Sequence, residues 1–336
     1  MKKIKVDLLA GTSIGMNQSG MKTQIDTIHN FFKEDPLLDV KKYDMWNYRN
    51  PDIVHIFGMD SSMLQILLHL KKRGVKLICS PNHWPNNSIA EKILMNFNYK
   101  NIIYSNRTIK KYIVENAEKI IVNSLGEKKH FLKLYSLNDE NLEVIPNSYG
   151  DEVKDCGSIF LEKYNIEKPY CLMVGMLGVK RKNQLSVLNI WNDSFPNLYI
   201  LGARDNSRCA DECFSIIHKK KNIEYLGYET NFDVIESAYQ NAMLLISPGL
   251  VETPSLAALR ALINGTKVCS TNSYGIPNEY FGDNAFYFDP NDEKSIFNSI
   301  KYAVETPLKI NQDQLHKFSN NNILFLYKRL YIDVMN

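Results

Sequence analysis

MLLISPGLVETPSLAALRALINGTKVCST, Met243 to Thr271, decides the fold. It opens on a short branched apolar run and closes on a second one, TKVCST. Between them Leu256, Leu259 and Ile263 recur at helical spacing, and Gly265 follows where a helix would end. Strand, helix and strand in so short a stretch form a βαβ unit, because parallel strands need a crossover between them. Thr253 suits the N-cap and Pro254 the first helical position, where an N–H has no helical partner anyway. One acid, Glu252, stands at the strand-to-helix corner, and Arg260 is the only other charge before the helix ends.

The same grammar extends in both directions. Strands are expected at 170–176, 197–203 and 222–227, and earlier at 4–10, 52–58, 75–80, 119–124 and 142–146, with helical stretches between most of them. Residues 147–169 mix turn formers with charges and separate the two halves. The predicted class is α/β, with two Rossmann-like, doubly wound domains facing a central cleft. One covers 1–150, the other 165–318, and an amphipathic helix over 319–336 returns toward the N-terminal domain. Ligands in such folds bind outside the carboxyl ends of the strands.

Composition narrows the function. The chain has 336 residues, 44% hydrophobic and 23% charged, as in ordinary globular proteins. Residues 1–150 carry 21 Lys/Arg against 15 Asp/Glu, and the remainder 19 against 22, so the first half is basic. No nucleic-acid motif accompanies that charge, and nucleic acid is excluded as a partner. The six cysteines show no CxxC and no matching His pair, which argues against disulfides or zinc and for a reducing, cytoplasmic setting. Asp7 interrupts the opening MKKIKVDLLAG, making it a first strand rather than a signal peptide, and no apolar run reaches membrane-spanning length. Lys92, Lys100, Arg107, Lys110 and Lys111 lie among apolar residues in 90–119. That segment reads either as a peripheral contact with an anionic membrane or as helices with a wet lysine face.

Two stretches could carry chemistry. In VGMLGVKRKNQ (174–184), Gly175 and Gly178 permit a tight turn that delivers Lys180, Arg181 and Lys182 to a helix entrance. Such a cluster suits a diphosphate, or is a solvated loop. Glu252 suits sugar hydroxyls in the crevice, or is a helix-entry acid favoured by the macrodipole. Pro254 has no N–H, so Ser255 and Leu256 would present the free amides. His83, in the loop stretch NHWPNN, reads as a site residue, and His55, inside an apolar strand, as a structural one.

Taken in order, these stretches resemble a retaining glycosyltransferase of family 4, an enzyme of the GT-B fold. The matching pieces are SGM (19–21), DIVHIFG, CSPNHWP, AEKIIVNSLGEKKHF, VIPNS, VGMLGVKRKN, YLGY, ISPGLVETPSLAAL and GIPNEYFGDNAFYFDPND (275–292), nearly end to end. The resemblance implies a nucleotide-sugar donor (UDP- or GDP-linked) and a glycan or lipid-linked glycan acceptor in surface polysaccharide synthesis. It implies no metal or other cofactor, and no D-x-D triplet occurs. Arg181 and Lys182 would hold the donor diphosphate with Gly20 and the amides of Ser255 and Leu256. Glu252, with Thr253 and Pro254, would meet the donor sugar. His83 would line the cleft beside the transferred sugar, a catalytic position shared with Glu252. Gly227, Tyr228 and position 260 would face the nucleoside. There the chain departs from the family's E-x7-E motif, because Arg260 replaces the ribose-binding acid. Arginine has donors only, so it can reach a phosphate, a neighbouring acid or water. The alternative to an enzyme is a non-catalytic GT-B partner that has lost nucleotide binding.

Overall fold

A computed structural model describes residues 2–11, 20–81, 106–135 and 137–336. The chain forms two compact units, Met1–Ser148 with Asn320–Asn336, and Tyr149–Ser319.

Each unit is built on a six-stranded sheet, all of it parallel. The first contains β1 (Ile4–Ala10), β2 (Leu38–Lys42), β3 (Ile53–Phe57), β4 (Lys76–Ser80), β5 (Lys119–Val122) and β6 (Leu142–Val144), in the order β2-β1-β3-β4-β5-β6. The second contains β7 (Tyr170–Val174), β8 (Asn197–Leu201), β9 (Ile223–Gly227), β10 (Leu244–Ser247), β11 (Lys267–Thr271) and β12 (Ala285–Phe288), in the order β12-β11-β10-β7-β8-β9. Central strands such as IVHIF of β3 are buried along their whole length, as expected where helices cover both faces. Two edge strands, β2 and β12, were not expected from sequence. LDVKK is mostly polar and lacks the continuous apolar run of a central strand, and AFYF is apolar but short.

The strand order reverses between β1 and β3 in the first sheet, and between β7 and β10 in the second. These are the switch points where diverging loops open a crevice. At the first, a Cβ on Gly11 would fall 2.7 Å from the Asp60 Cβ, so only glycine allows that approach.

The helix Asn320–Met335 belongs to the first unit and buries Ile323, Leu324, Tyr327, Leu330 and Tyr331. His55 explains part of its attachment. Its Nδ1 shares a hydrogen bond with the Tyr331 hydroxyl (2.7 Å) and its Nε2 one with the Ser80 hydroxyl (2.8 Å). Burial pushes the imidazole down to about 3, so the ring is neutral, one nitrogen donating and the other accepting. Tyr327 accepts from Gln24 Nε2 at 2.9 Å, and Lys328 pairs with Asp35 at 2.6 Å. Residues 151–164 belong to the second unit, where Phe160 is buried in the helix Ile159–Tyr164 and the Phe160 amide donates to Ser237 Oγ. All six thiols are free. Among the described residues no helix is long and apolar enough to cross a membrane.

Candidate active site

The site grows from the switch point of the second sheet. β7 and β10 are neighbours, with Leu244 opposite Cys171, and the loops leaving their carboxyl ends carry the basic run and the acid. After β7, Gly175 and Gly178 both have positive φ (150° and 89°). Gly178 is also sterically required, since a Cβ there would lie 2.3 Å from Ala210 Cβ. The chain then makes a short 3-10 turn, Lys180–Lys182, before the helix Gln184–Ile190.

After β10 the chain turns toward that loop. The Leu250 amide donates to the Arg181 carbonyl (2.9 Å), and Arg181 Nη1 donates to the Val251 carbonyl (3.3 Å). Ser273 Oγ donates to the Leu250 carbonyl at 2.6 Å, fixing the corner from the other side. Between these ties Glu252 is 5% exposed, and its Oε1 accepts from Lys182 Nζ at 2.8 Å. Gly249 makes room for it, because a Cβ at 249 would lie 2.3 Å from that same oxygen. Neither Gly249 nor Ser273 was singled out from sequence. A glycine two residues after a buried strand and three before a lone acid is the signal that could have found the first.

The following helix spans Leu256–Ile263 and is capped by Ser255, whose Oγ accepts from the Ala258 amide at 3.3 Å. This corrects the expected cap at Thr253 with Pro254 inside the helix: Pro254 is buried ahead of the cap, and serine is the stronger N-cap residue. The shift leaves the amides of Leu256 and Ala257 without a helical carbonyl. The buried face is Ala258, Leu259, Ala261 and Leu262, one register away from the predicted stripe of Leu256, Leu259 and Ile263. Asn264 and Gly265 end the helix, Gly265 at φ 84°.

Arg260 reaches a neighbouring acid. Its Nε and Nη2 donate to the two oxygens of Glu236 at 2.6 and 2.8 Å, and its Nη1 donates to the Tyr149 carbonyl at 3.2 Å and to the Asp151 carbonyl. Glu236, on the helix Phe232–Asn241, has no sequence signal linking it to residue 260. Gly227 has φ 85°, and Tyr228 after it is half exposed. Gly20 begins the helix Gly20–Phe31 and is exposed. His83 and most of the 90–119 segment lie outside the described residues. In the described part of that segment, Ile113 and Val114 are buried and Lys111 pairs with Glu115 at 3.7 Å. Among the described residues no group of three His, Cys, Asp or Glu could hold a metal ion.

Two family profiles cover most of the chain in the same order as the two sheets. Glycosyltransferase Family 4 matches residues 24–150, and Glycosyl transferases group 1 matches residues 160–324. The chain is a family 4 glycosyltransferase. The O-antigen chain mannosyltransferase RfbU of Salmonella typhimurium is 23% identical to this glycosyltransferase over 269 residues, 77% of this chain and 72% of the relative. Among solved structures, Anabaena HepE in complex with UDP aligns with a TM-score of 0.69 at 11% identity, over 98% of this chain and 100% of that one. The lipopolysaccharide outer core galactosyltransferase WaaB aligns with a TM-score of 0.67 at 15% identity, over 98% and 99%. These neighbours carry the GT-B fold, two Rossmann-like domains, onto this glycosyltransferase.

Proposed function

We propose that the enzyme transfers a sugar from a nucleoside diphosphate donor to a growing glycan, with retention of configuration and without a metal, in surface polysaccharide or lipid-linked oligosaccharide synthesis. The observation that carries this reading is the Lys182–Glu252 pair at the β7/β10 switch point, 2.8 Å apart. An ammonium group and a carboxylate held side by side suit a ligand that is anionic at one end and hydroxylated at the other. Lys182 and Arg181 would face the diphosphate, together with the amides of Leu256 and Ala257. Glu252 keeps acceptor capacity beyond its bond to Lys182 and would accept hydrogen bonds from hydroxyls of the donor sugar. As the bond between the anomeric carbon and the phosphate oxygen breaks, negative charge grows on the leaving diphosphate beside the two cations. One such preorganised contact contributes on the order of 3 kcal/mol to the barrier. The acceptor hydroxyl would attack from the departing side, passing its proton to the leaving phosphate oxygen. Relatives named for O-antigen mannose transfer and outer-core galactose transfer support a polysaccharide role, and a UDP complex among the neighbours supports a nucleotide donor.

Arg260 stands apart from that pair. Its guanidinium is engaged by Glu236, so it neither opposes nor occupies the Lys182–Glu252 pair. Free thiols fit a cytoplasmic enzyme, and the basic N-terminal half fits peripheral contact with an anionic membrane. The test is release of nucleoside diphosphate across a panel of UDP- and GDP-sugars with oligosaccharide acceptors, in buffer with and without EDTA. Glu252→Ala and Lys182→Ala should each lower turnover roughly 100-fold or more. Full turnover by either variant sinks the site assignment, and loss of turnover in EDTA sinks metal independence.

A further inference from the structure

The most exposed large hydrophobic side chain described is Trp46, 88% accessible, preceded by Met45 at 59%. An indole left in water is unusual, and here the backbone presents it deliberately. Asp44 accepts from the Trp46 amide (2.8 Å) and the Asn47 amide (3.3 Å), and its other oxygen accepts from Asn47 Nδ2 (2.7 Å). Three residues on, Arg49 anchors the segment to the sheet: Nε donates to Asp7 Oδ1 at 2.7 Å, and Nη2 donates to the carbonyls of Asp39 (2.7 Å) and Val6 (3.0 Å). Tyr48 lies under the Arg73 guanidinium, 5.0 Å from its ring centroid. The turn is therefore fixed, and only its apolar tip is free. It leaves the carboxyl end of β2, the side of a doubly wound sheet on which ligands bind.

Much of the surrounding charge is already paired. Lys22 and Lys42 both pair with Asp26, and Arg49 pairs with Asp7 and Asp39. Charge paired in this way gives little attraction for an anionic bilayer, whereas an exposed indole suits a neutral, polyhydroxylated ligand. The flat indole matches the C–H face of a pyranose ring, and the polar groups flanking it match ring hydroxyls. We propose that Trp46, held by the Asp44–Asn47 turn, is a stacking platform for a neutral sugar residue of the acceptor glycan, separate from the donor site. This rests on the glycosyl-transfer reading for its biological meaning, though not for its test.

The chain has three tryptophans, so labelling with 5-fluorotryptophan gives three fluorine resonances, and Trp46→Phe identifies the one of interest by its loss. Neutral oligosaccharides of mannose, galactose, glucose and N-acetylglucosamine are titrated in, with anionic phosphatidylglycerol vesicles as a parallel arm. The platform requires a saturable shift of the Trp46 resonance with at least one oligosaccharide. With that oligosaccharide as acceptor, Trp46→Ala should raise its KM about 10-fold, leave kcat and the donor KM unchanged, and leave the melting temperature unchanged; Trp46→Phe should recover most of the loss. A shift produced by vesicles alone, a shift produced by protein dilution alone, or no shift with any ligand overturns the proposal. If the wild-type enzyme releases no nucleoside diphosphate from any donor, the transfer reading fails by itself, and the titration still decides the platform.

Discussion

Each sheet ends one of its strands on a buried glutamate beside a helix entrance, and the two are treated oppositely. In the first unit Glu127 follows β5, fully buried, with Oε2 accepting from the Asn123 amide at 2.6 Å and Oε1 without a hydrogen-bond partner. Burial pushes its carboxyl up to about 7. In the second unit Glu229 follows β9, also buried, but both oxygens are used. Lys163 Nζ (2.6 Å) and the Tyr164 hydroxyl (2.8 Å) reach Oε2, and the amides of Thr230 and Asn231 (2.9 Å each) reach Oε1. Against the pull of burial, those donors bring it down to about 2. Burial alone therefore does not set a carboxylate's chemistry; the number of donors that follow it inside does. Glu252, also buried, has a different donor set again, a single cation, Lys182, at 2.8 Å.

The largest effect that would break this contrast is on Glu229. Glu229→Ala turns Lys163 out to water and leaves the Tyr164 hydroxyl and the amides of Thr230 and Asn231 without their acceptor, which together should cost about 3 kcal/mol. For a domain of this size that lowers the melting temperature by roughly 6–12 °C; a drop within experimental error would mean the ring of donors adds nothing. Next is Gly249→Ala, which puts a methyl group against the Glu252 carboxylate. Turnover should fall about 100-fold, near 2.7 kcal/mol, while the melting temperature holds. Equal activity would show that the exact seat of Glu252 is unimportant.

The pH dependence sharpens the comparison with opposite signs. Glu127, raised from 4.5 to about 7, binds its proton more tightly folded than unfolded, so stability falls as pH rises through that window. Glu127→Gln should remove the slope and gain on the order of 2 kcal/mol at pH 8. Melting curves of the two proteins from pH 4 to 8 decide it, and parallel curves would refute the raised carboxyl. Glu229, lowered from 4.5 to about 2, contributes stability that is present above pH 4.5 and lost as pH falls toward 2. That loss in the second unit is reported by the emission of Trp191, which is 1% exposed there. The smallest expected effect is Tyr331→Phe, which removes one partner of His55 and should cost about 1 kcal/mol by thermal shift.

The central strands and the crossover helices were legible because each buries a continuous or periodic apolar face. The edges β6 and β9 were legible as well, but β2 and β12 were not: LDVKK is mostly polar and AFYF is short, and each answers to a neighbour on one side only. Lys182 and Glu252 could be named from a basic run and a lone acid that each follow a strand, and from the family resemblance; their pairing follows from strand order rather than from sequence distance. The helix cap was misjudged by two residues because Thr-Pro and Pro-Ser both resemble a helix entrance, and the choice fell to packing around Pro254. Arg260 could be flagged but not resolved: its partner Glu236 lies 24 residues away on another helix, and nothing local points to it. Glu127 likewise looks like an ordinary helix-entry acid until its surroundings are known.

His55 and Tyr331 are separated by 276 residues, yet they share a buried hydrogen bond. At about 5–20 residues per second, a ribosome takes roughly 14–55 s to travel between them. Throughout that interval the first sheet exists without the tyrosines that complete it, while every residue of the second unit is made and released. The domain that emerges first is thus the one that closes last, and the unit encoded in between can finish folding before its predecessor. A newly made chain spends that time with an unfinished hydrophobic face, which makes the N-terminal sheet the natural client of any chaperone that meets this enzyme at the ribosome.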